Sequence, residues 1–323
     1  MIKVEAYKDF DQSEWRSVIM SLEGNVFHLP EVWLPENEAS AVRYLVFTAE
    51  SKIVGACVGV CQGKRFLKLV KSSDTLFLPT VPAISREDGG EDQDIYDALI
   101  GFSAQAGFKT LTVGVRWGSD FSGNPKLSEF INQHLIEFTI DLRRDMDAII
   151  KSFHKKHRKN IRKAESSSIS IITDNSLEGF LDLRKLQEAS SVRASTKGNV
   201  YQLQNDKHYI DAHRNIYQKG LGTVMFARKD GKTVAGLAYL FFGHKAVTVR
   251  SGATPEGYAL CAPYYLQYEL IRRIREEGYS ILDIGGVPKD AVDPSHPQHG
   301  LYQFKKGFGA LPNLRTGLSI CLR

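Results

Sequence analysis

The run Thr223-Val-Met-Phe-Ala-Arg-Lys-Asp-Gly-Lys-Thr-Val-Ala-Gly-Leu-Ala-Tyr-Leu-Phe-Phe242 decides the fold class. Two stretches rich in apolar, β-branched and aromatic residues, Thr223 to Arg228 and Thr233 to Phe242, flank Lys229-Asp230-Gly231-Lys232. Asp-Gly favours the positive φ of a type I′ turn, whose twist matches that of two paired strands, so a β-hairpin is predicted here. Lys245 to Gly252 reads as a third antiparallel strand, Ala262 to Glu277 as a helix ended by Gly278, and Ser280 to Ile284 as a strand. Meander, helix, strand is the signature of an α/β unit.

The first half of the chain carries the same order. Val42 to Thr48 and Ile53 to Cys61 are two strands around a tight turn, and each hairpin has a glycine in its second strand, Gly55 and Gly236. Asp92 to Ala106 is an amphipathic helix stopped at Gly107, and Lys109 to Val115 a strand. Gly107-Phe108 and Gly278-Tyr279 thus punctuate matching places. Further strands are expected over Arg65 to Val70 and Leu76 to Val81, and a first helix near Ser13 to Leu22, capped by Asp11 or Ser13. The length suggests two domains. The reading is two tandem α/β (α+β) domains with mixed, largely antiparallel sheets, residues 1–145 and 146–323. Glu137 to Leu142 closes the first. The second adds a strand at Ile169 to Thr173, helices at Leu177 to Ser190 and Asp206 to Lys219, a helix near His299 to Phe308 and a last strand at Leu314 to Leu322.

Between the halves lies Asp145 to Glu165. Asp145 or Asp147 can cap its start, and Ile149, Phe153, His157, Ile161 and Ala164 recur at helical spacing. The other faces hold Lys151, Lys155, Lys156, Arg158, Lys159, Arg162 and Lys163. Like charges three and four residues apart cost a helix a few tenths of a kcal/mol, roughly, per pair. So dense a positive face points to an anionic ligand, against the plainer alternative of a solvated surface.

Composition narrows the class. The apolar fraction of 42% and charged fraction of 24% are those of a globular protein. No apolar run reaches the roughly 18–20 residues that span a bilayer. The first residues, Met-Ile-Lys-Val-Glu, lack the apolar core of a signal peptide, so a cytoplasmic protein is expected. Cys57, Cys61, Cys261 and Cys321 are scattered, without paired Cys-x-x-Cys spacing, and read as reduced, buried thiols. His296 and His299 have no acidic or Cys partner at ligand spacing, which argues against a metal. The net charge of +5 is modest and concentrated in the central helix, a patch suited to phosphate and unlike a nucleic-acid coat.

Three motifs in chain order resemble the Fem-type (FemABX) transferases, within the tandem acetyltransferase-like (GNAT) group that includes BioF2-like proteins. They are Phe153-His-Lys-Lys-His-Arg-Lys-Asn-Ile-Arg-Lys-Ala164, Asp283-Ile284-Gly285-Gly286 and Phe304-Lys305-Lys306-Gly307-Phe308-Gly309. The resemblance implies bacterial, cytoplasmic acyltransferases of cell-wall (peptidoglycan) biosynthesis, which carry an aminoacyl group from aminoacyl-tRNA to an amine of a precursor. Some members carry a long helical-hairpin arm, for which this chain has no segment.

Acyl transfer to an amine needs a cation or N–H donor facing the negative charge of the tetrahedral intermediate. The resemblance places Lys305 there, with Lys306 beside it. The amine must also lose a proton, to the substrate's own oxygens, to water or to a carboxylate such as Asp283. A polyanionic donor calls for Lys156, Arg158, Lys159 and Arg162. Tyr258, Tyr264 and Tyr265 lie between meander and helix, where a related enzyme would hold its acyl group, although aromatics there are more often core. Arg250 ends the third strand and reaches toward the same cleft, and Tyr302 and Phe304 flank Lys305. Coenzyme A would require a glycine-rich pyrophosphate loop before Ala262, and Gly252 to Cys261 lacks that spacing. No tightly bound cofactor is expected. The donor is aminoacyl-tRNA or an acyl-CoA, with peripheral membrane contact possible through the acceptor. The alternatives are an acyl-CoA or acyl-carrier-dependent N-acyltransferase of polysaccharide or lipid modification, and a non-catalytic tRNA-binding module.

Overall fold

The structure, a computed structural model, describes residues 2–34, 41–63, 74–85, 92–196, 198 and 203–322. Its contacts divide the chain into two compact units, residues 1–135 with 314–323, and residues 136–313. A division after 145 therefore falls inside the second unit. The reason is visible in the backbone: Leu142 N–H donates to the Ser280 carbonyl at 2.8 Å, tying the approach to the basic segment into the second unit's sheet.

The first unit runs β1 (Lys3–Tyr7), α1 (Gln12–Ser21), β2 (Val42–Ala49), β3 (Lys52–Gln62), β4 (Thr75–Leu78), β5 (Ala83–Ile84), α2 (Asp92–Gln105) and β6 (Thr110–Val113). Asp11 caps α1, accepting from the Ser13 and Glu14 N–H groups. The sheet order is β1-β2-β3-β4-β6, antiparallel except for the parallel β4–β6 pair, with β5 on β3. The chain's last strand closes this sheet, Leu318 to Cys321 pairing antiparallel with Val113 to Thr110. Leu45, Phe47, Leu76, Ile95, Leu99 and Leu111 form its core. The strand expected at Arg65 to Val70 lies outside the described residues.

From β7 (Ile131–Asp141) the chain continues through α3 (Met146–Ser152), α4 (Lys155–Ser166), β8 (Ser170–Thr173), α5 (Leu177–Ser195), α6 (Asp206–Ala212), β9 (Gly222–Lys229), β10 (Lys232–Phe242), β11 (Lys245–Ala253), α7 (Pro255–Ala259), α8 (Ala262–Glu276), β12 (Ile281–Pro288), α9 (His299–Lys306) and β13 (Leu311–Cys321). In the second unit β8, β9, β10 and β11 form the antiparallel meander, β12 joins β11 in parallel, and β7 lies beside β12. α8 packs against β9 to β11 and against α4, while α5 covers β10 and β11. The segment expected as one helix over Asp206 to Lys219 is α6 followed by a π turn at His213 to Tyr217.

Both hairpins are built alike. Glu50-Ser51 and Asp230-Gly231 are two-residue turns with positive φ at both positions, 49° and 67° in the first and 49° and 77° in the second. In each, the register slips at the third residue of the second strand. Thr48↔Ile53 is followed by Phe47↔Gly55, and Arg228↔Thr233 by Ala227↔Ala235, leaving Val54 and Val234 bulged. Extra residues of this kind bend a strand and sharpen its twist. The two glycines are offset by one residue relative to these bulges.

The expectation of four buried thiols needs correcting: Cys57 is buried, Cys61 and Cys261 are half-buried, and Cys321, at the end of β13, is exposed.

Close packing of α5 onto the meander requires Gly252. A Cβ there would lie 2.4 Å from the Leu186 carbonyl carbon and 2.5 Å from the Gln187 nitrogen. Backbone, unlike a flexible side chain, cannot step aside. Gly252→Ala should therefore lower unfolding stability by about 1–3 kcal/mol, as overpacking does. Urea unfolding checks this, and a loss below roughly 0.5 kcal/mol, the size of an ordinary surface change, would show that α5 shifts freely.

Candidate active site

The basic segment is two helices, not one. α3 is capped by Asp145, whose side chain accepts from the Ala148 N–H at 2.7 Å. It stops at Phe153, and α4 starts after His154, both in extended conformation. Three contacts hold the break. His154 N–H donates to the Gly307 carbonyl at 2.8 Å, His154 Nδ1 accepts from the Lys156 N–H at 3.3 Å, and one Arg158 nitrogen donates to the carbonyls of Lys151 and Phe153 at 3.0 and 2.8 Å. Ile149, Phe153, His157, Ile161 and Ala164 are all buried, as their spacing predicts.

His157 joins this segment to the Phe304–Gly309 motif. Only 6% exposed, it bonds the Phe304 carbonyl through Nε2 at 2.9 Å. Its ring meets Tyr264 and Phe308 edge-on, at 4.8 and 4.9 Å between centroids. Phe304 packs edge-on against Tyr264 at 5.0 Å and Phe308 at 5.2 Å. Gly307 faces the imidazole so closely that a Cβ would lie 2.0 Å from it. Burial pushes the His157 pKa below its ordinary value, against the Phe304 carbonyl that raises it, which favours the neutral ring.

Next to Phe304 on α9, Lys305 is buried, with 9% exposure. Its ammonium donates to the Ile284 carbonyl of β12. Asp283 is 1% exposed and Glu137, on β7, is 3% exposed. Burial pushes the Lys305 pKa down to about 8, and the charges of Asp283 and Glu137 act to raise it. Asp283 also accepts the Gly285 N–H at 2.6 Å. Gly285 has φ +81°, and a Cβ on it would stand 3.0 Å from the Lys305 nitrogen, so this position is built for glycine.

The strands part at this level. The parallel pairs run Lys245↔Ile281, Ala246↔Leu282 and Val247↔Asp283. Just beyond, β11 carries a bulge at Val249, since Ala238↔Arg250 is followed by Tyr239↔Thr248. A bulged strand bends. The last of these pairs holds Asp283, and Ile284 and Gly285, the neighbours of Lys305, lie past it.

The remaining residues singled out from the sequence divide. Lys156, Lys159 and Arg162 are exposed on α4. Arg158 is half-buried and partly committed to the α3 carbonyls, and Lys163 donates to the Ala259 carbonyl at 2.8 Å. Arg250 lies away from Lys305's partners: its guanidinium stands over the Tyr209 ring at 4.7 Å and 2.5 Å from His208 Nε2. Tyr258 carries Arg193 over its ring at 4.0 Å, and its hydroxyl is 3.0 Å from Ser190 Oγ. Tyr302 is core, edge-on to Phe138 at 5.5 Å, with exposed Lys306 over its ring at 5.6 Å. Tyr265 stacks near Tyr268. His299 bonds the Ala291 carbonyl at 3.0 Å, and His296 accepts the Gln298 N–H at 3.0 Å. Among the described residues no three His, Cys, Asp or Glu side chains converge as a metal would need.

Sequence reasoning missed Glu137 and treated His157 as mere stripe. Glu137 sits on the opposite parity from Phe138, Ile140 and Leu142, the face that reads as solvent. The signal for His157 was its place opposite Gly307, visible only once two segments 150 residues apart are brought together, as the His157–Phe304 bond does.

The fold and part of the sequence match known proteins. The FemAB family model matches residues 180–317, most of the second unit. No curated protein matches the sequence. Among solved structures, FemX is similar over 98% of this chain and 97% of its own, with a TM-score of 0.74 and 12% identity. L-PGS from Bacillus licheniformis covers 97% and 92% at a TM-score of 0.56 and 12% identity. A tandem GNAT protein from the clavulanic acid biosynthesis pathway covers 100% and 99% at 0.51 and 12%. At such identities these likenesses establish the fold, a tandem GNAT-like architecture.

Arg158 and Arg162, one turn apart, should separate by role. Arg158→Ala removes a charged donor from two carbonyls and should cost about 1.5–3 kcal/mol of stability. Arg162→Ala, on the exposed face, should change stability by less than roughly 0.5 kcal/mol. Thermal or urea melts of both variants decide it; equal losses would remove Arg158 as the clasp of the α3–α4 break.

Proposed function

We propose that this chain, whose residues 180–317 match the FemAB family model, moves an aminoacyl or acyl group onto an amine of a cell-envelope precursor of the peptidoglycan type, in the cytoplasm. The observation that carries the reading is the buried Lys305 ammonium on the Ile284 carbonyl of β12, within the electrostatic reach of buried Asp283 and Glu137.

The acceptor's amine nitrogen attacks the carbonyl carbon of the donor ester or thioester, forming the C–N bond and placing negative charge on the carbonyl oxygen. One N–H of Lys305 is spent on Ile284. The other two can face that oxygen. A fixed cation in a dry site, already oriented, stabilises the intermediate without reorganising at the moment of reaction. Collapse breaks the bond to the leaving oxygen or sulfur, which takes the proton given up by the amine. Asp283 acts on Lys305 by keeping its charge and orienting Gly285, which makes it a positioning residue rather than the base. Exposed Lys156, Lys159 and Arg162 supply cations for a polyanionic donor, and Arg158 offers its remaining N–H groups.

The start of α8 favours aminoacyl-tRNA over coenzyme A. Pro263 has no N–H, and the Tyr264 N–H is spent on the Cys261 carbonyl at 3.0 Å. A pyrophosphate cradle needs such groups free. No helix among the described residues is long and apolar enough to cross a membrane.

Titration with charged tRNA, uncharged tRNA and acetyl-CoA at two salt concentrations tests donor choice. Preference for charged tRNA supports the reading; saturable acetyl-CoA binding beside salt-erased tRNA binding would replace it with acyl-CoA-dependent transfer. Binding of both tRNAs alike, with no product from any amine acceptor, would leave an RNA-binding module.

Lys305→Ala should lower turnover by about 10²–10³ with donor affinity little changed, the pattern of an interaction made in the transition state. Lost affinity with retained turnover would move Lys305 from catalysis to binding. Because the ammonium carries the positive charge that stabilises the oxyanion and the neutral amine does not, kcat should fall as pH rises through about 8. A rate still climbing from pH 8 to pH 9, roughly one unit above that value, would make the neutral amine the working form.

A further inference from the structure

α9 ends on a carbonyl that the helix itself leaves open. The Phe308 N–H, which would close a regular turn on the Phe304 carbonyl, donates to the Lys305 carbonyl at 3.2 Å, and the Gly309 N–H donates to that of Lys306 at 3.0 Å. The last carbonyls of a helix need partners from outside it. His157 supplies one from α4, with Nε2 at 2.9 Å from the Phe304 oxygen. A carbonyl only accepts, so the proton of the neutral ring sits on Nε2 and Nδ1 is bare. Nδ1 is buried and has no hydrogen-bond partner. The ring is boxed in: Tyr264 and Phe308 meet it edge-on, and the Gly307 backbone lies so close that a Cβ would stand 2.0 Å from the imidazole.

We propose that His157 is the positioning residue of Lys305: by capping the Phe304 carbonyl through Nε2–H it fixes the turn of α9 from which the ammonium reaches Ile284, and acid releases that hold. The Phe304 carbonyl and the Lys305 nitrogen belong to one planar peptide unit, so the histidine holds the very plane from which the lysine departs. Acid acts through Nδ1. An imidazolium would bury a charged N–H without an acceptor, and it satisfies that group only by leaving the box for water. The surroundings give it no counter-charge. α9 meets the ring with Phe304, Gly307 and Phe308, and α8 with Tyr264, whose phenol burial keeps protonated. On α4 itself His154 and Lys156 add positive charge. A carbonyl at a helix carboxyl end favours an imidazolium, but burial outweighs it and puts the ring's pKa below the ordinary 6.5. The capped state is therefore complete above 6.5 and is lost as pH falls through the lowered value. The hold stands on geometry, and its effect on turnover rests on the transfer reading above.

NMR of the full chain, isotope-labelled in histidine and lysine, tests the hold without any ligand. At neutral pH the His157 proton should be on Nε2. A ring protonated on Nδ1 alone overturns the proposal, and that measurement needs no variant to fold. His157→Phe fills the box but cannot donate. With the last turn of α9 loosened, the ammonium moves toward water, and the Lys305 pKa should rise from about 8 toward the ordinary 10.5, its proton held about tenfold or more tightly. His157→Gln, whose amide donates from the Nε2 position at every pH, should keep the proton affinity of Lys305 within about threefold of the wild type. A folded His157→Phe that also stays within about threefold would reduce His157 to packing and overturn the proposal. Turnover from charged tRNA or acetyl-CoA reads the acid release. Wild-type kcat should fall about tenfold per pH unit below the ring's own pKa, itself under 6.5, and His157→Gln should lack that limb. A limb common to both overturns the release. No turnover from either donor, with the NMR result as expected, overturns the transfer reading and leaves the hold standing.

Discussion

Keeping a charged lysine inside the second unit is the constraint on which the rest of the site depends. Taking an ammonium out of water costs several kcal/mol, roughly, even after relaxation, and only paired charge and good hydrogen bonds offset it. Here the offset comes from three elements far apart in sequence. Glu137 comes from β7, Asp283 and the Ile284 carbonyl from β12, and Lys305 from α9. The position after Ile284 must then be glycine, both for its φ of +81° and because a Cβ would crowd the ammonium. Asp283 is also bound to the Gly285 N–H, so one carboxylate fixes the backbone bend and the charge together. Remove the lysine and two carboxylates are left buried without their cation.

The helix that carries Lys305 is itself held by a neutral histidine. His157 Nε2 bonds the Phe304 carbonyl, one residue before the lysine, and its ring fills the space left by Gly307. Because Gly307's carbonyl also takes the His154 N–H, the end of α9 and the start of α4 are one joint. Any ligand that moves the basic helix therefore acts on the backbone around Lys305. The low pKa that burial imposes on His157 suits this work, since an imidazolium would place a second positive charge beside the cationic α4.

Much of this was legible before any coordinates. The Asp230-Gly231 turn, the alternation on either side of it and the glycine stops at Gly107 and Gly278 all depend on local backbone preference, which a sequence displays directly. The stripe from Ile149 to Ala164 was legible for the same reason, but the break at Phe153-His154 was not. Nothing local forbids helix there, and it is the tertiary claims of the Gly307 carbonyl and the Arg158 guanidinium that open it. Glu137 was invisible because its parity is the solvent parity, and only the folded chain buries it and brings its charge to bear on Lys305. Arg250 illustrates the opposite failure: an arginine at a strand end looks available, and packing on Tyr209 and His208 has already taken it. The return of the final strand to pair with β6 was not legible either, since partners two hundred residues apart leave no local mark on the sequence.

The charge on α4 looks different once these contacts are counted. Arg158 and Lys163 spend hydrogen bonds on carbonyls at the ends of α3 and α7, the carboxyl ends where a helix dipole favours a cation. They offset part of the repulsion that so many like charges would otherwise impose. Lys155, Lys156, Lys159 and Arg162 stay exposed with no such structural explanation. Four cations along one short helix form an extended strip rather than a point. Such a strip suits a ligand whose phosphates repeat along a backbone better than a single pyrophosphate, and the start of α8, with Pro263 lacking an N–H and Tyr264 already bonded, leaves little backbone for the latter. On the proposed reading, a polyanionic donor would be held by the exposed side chains of α4, which the His157 joint ties to the helix that carries Lys305.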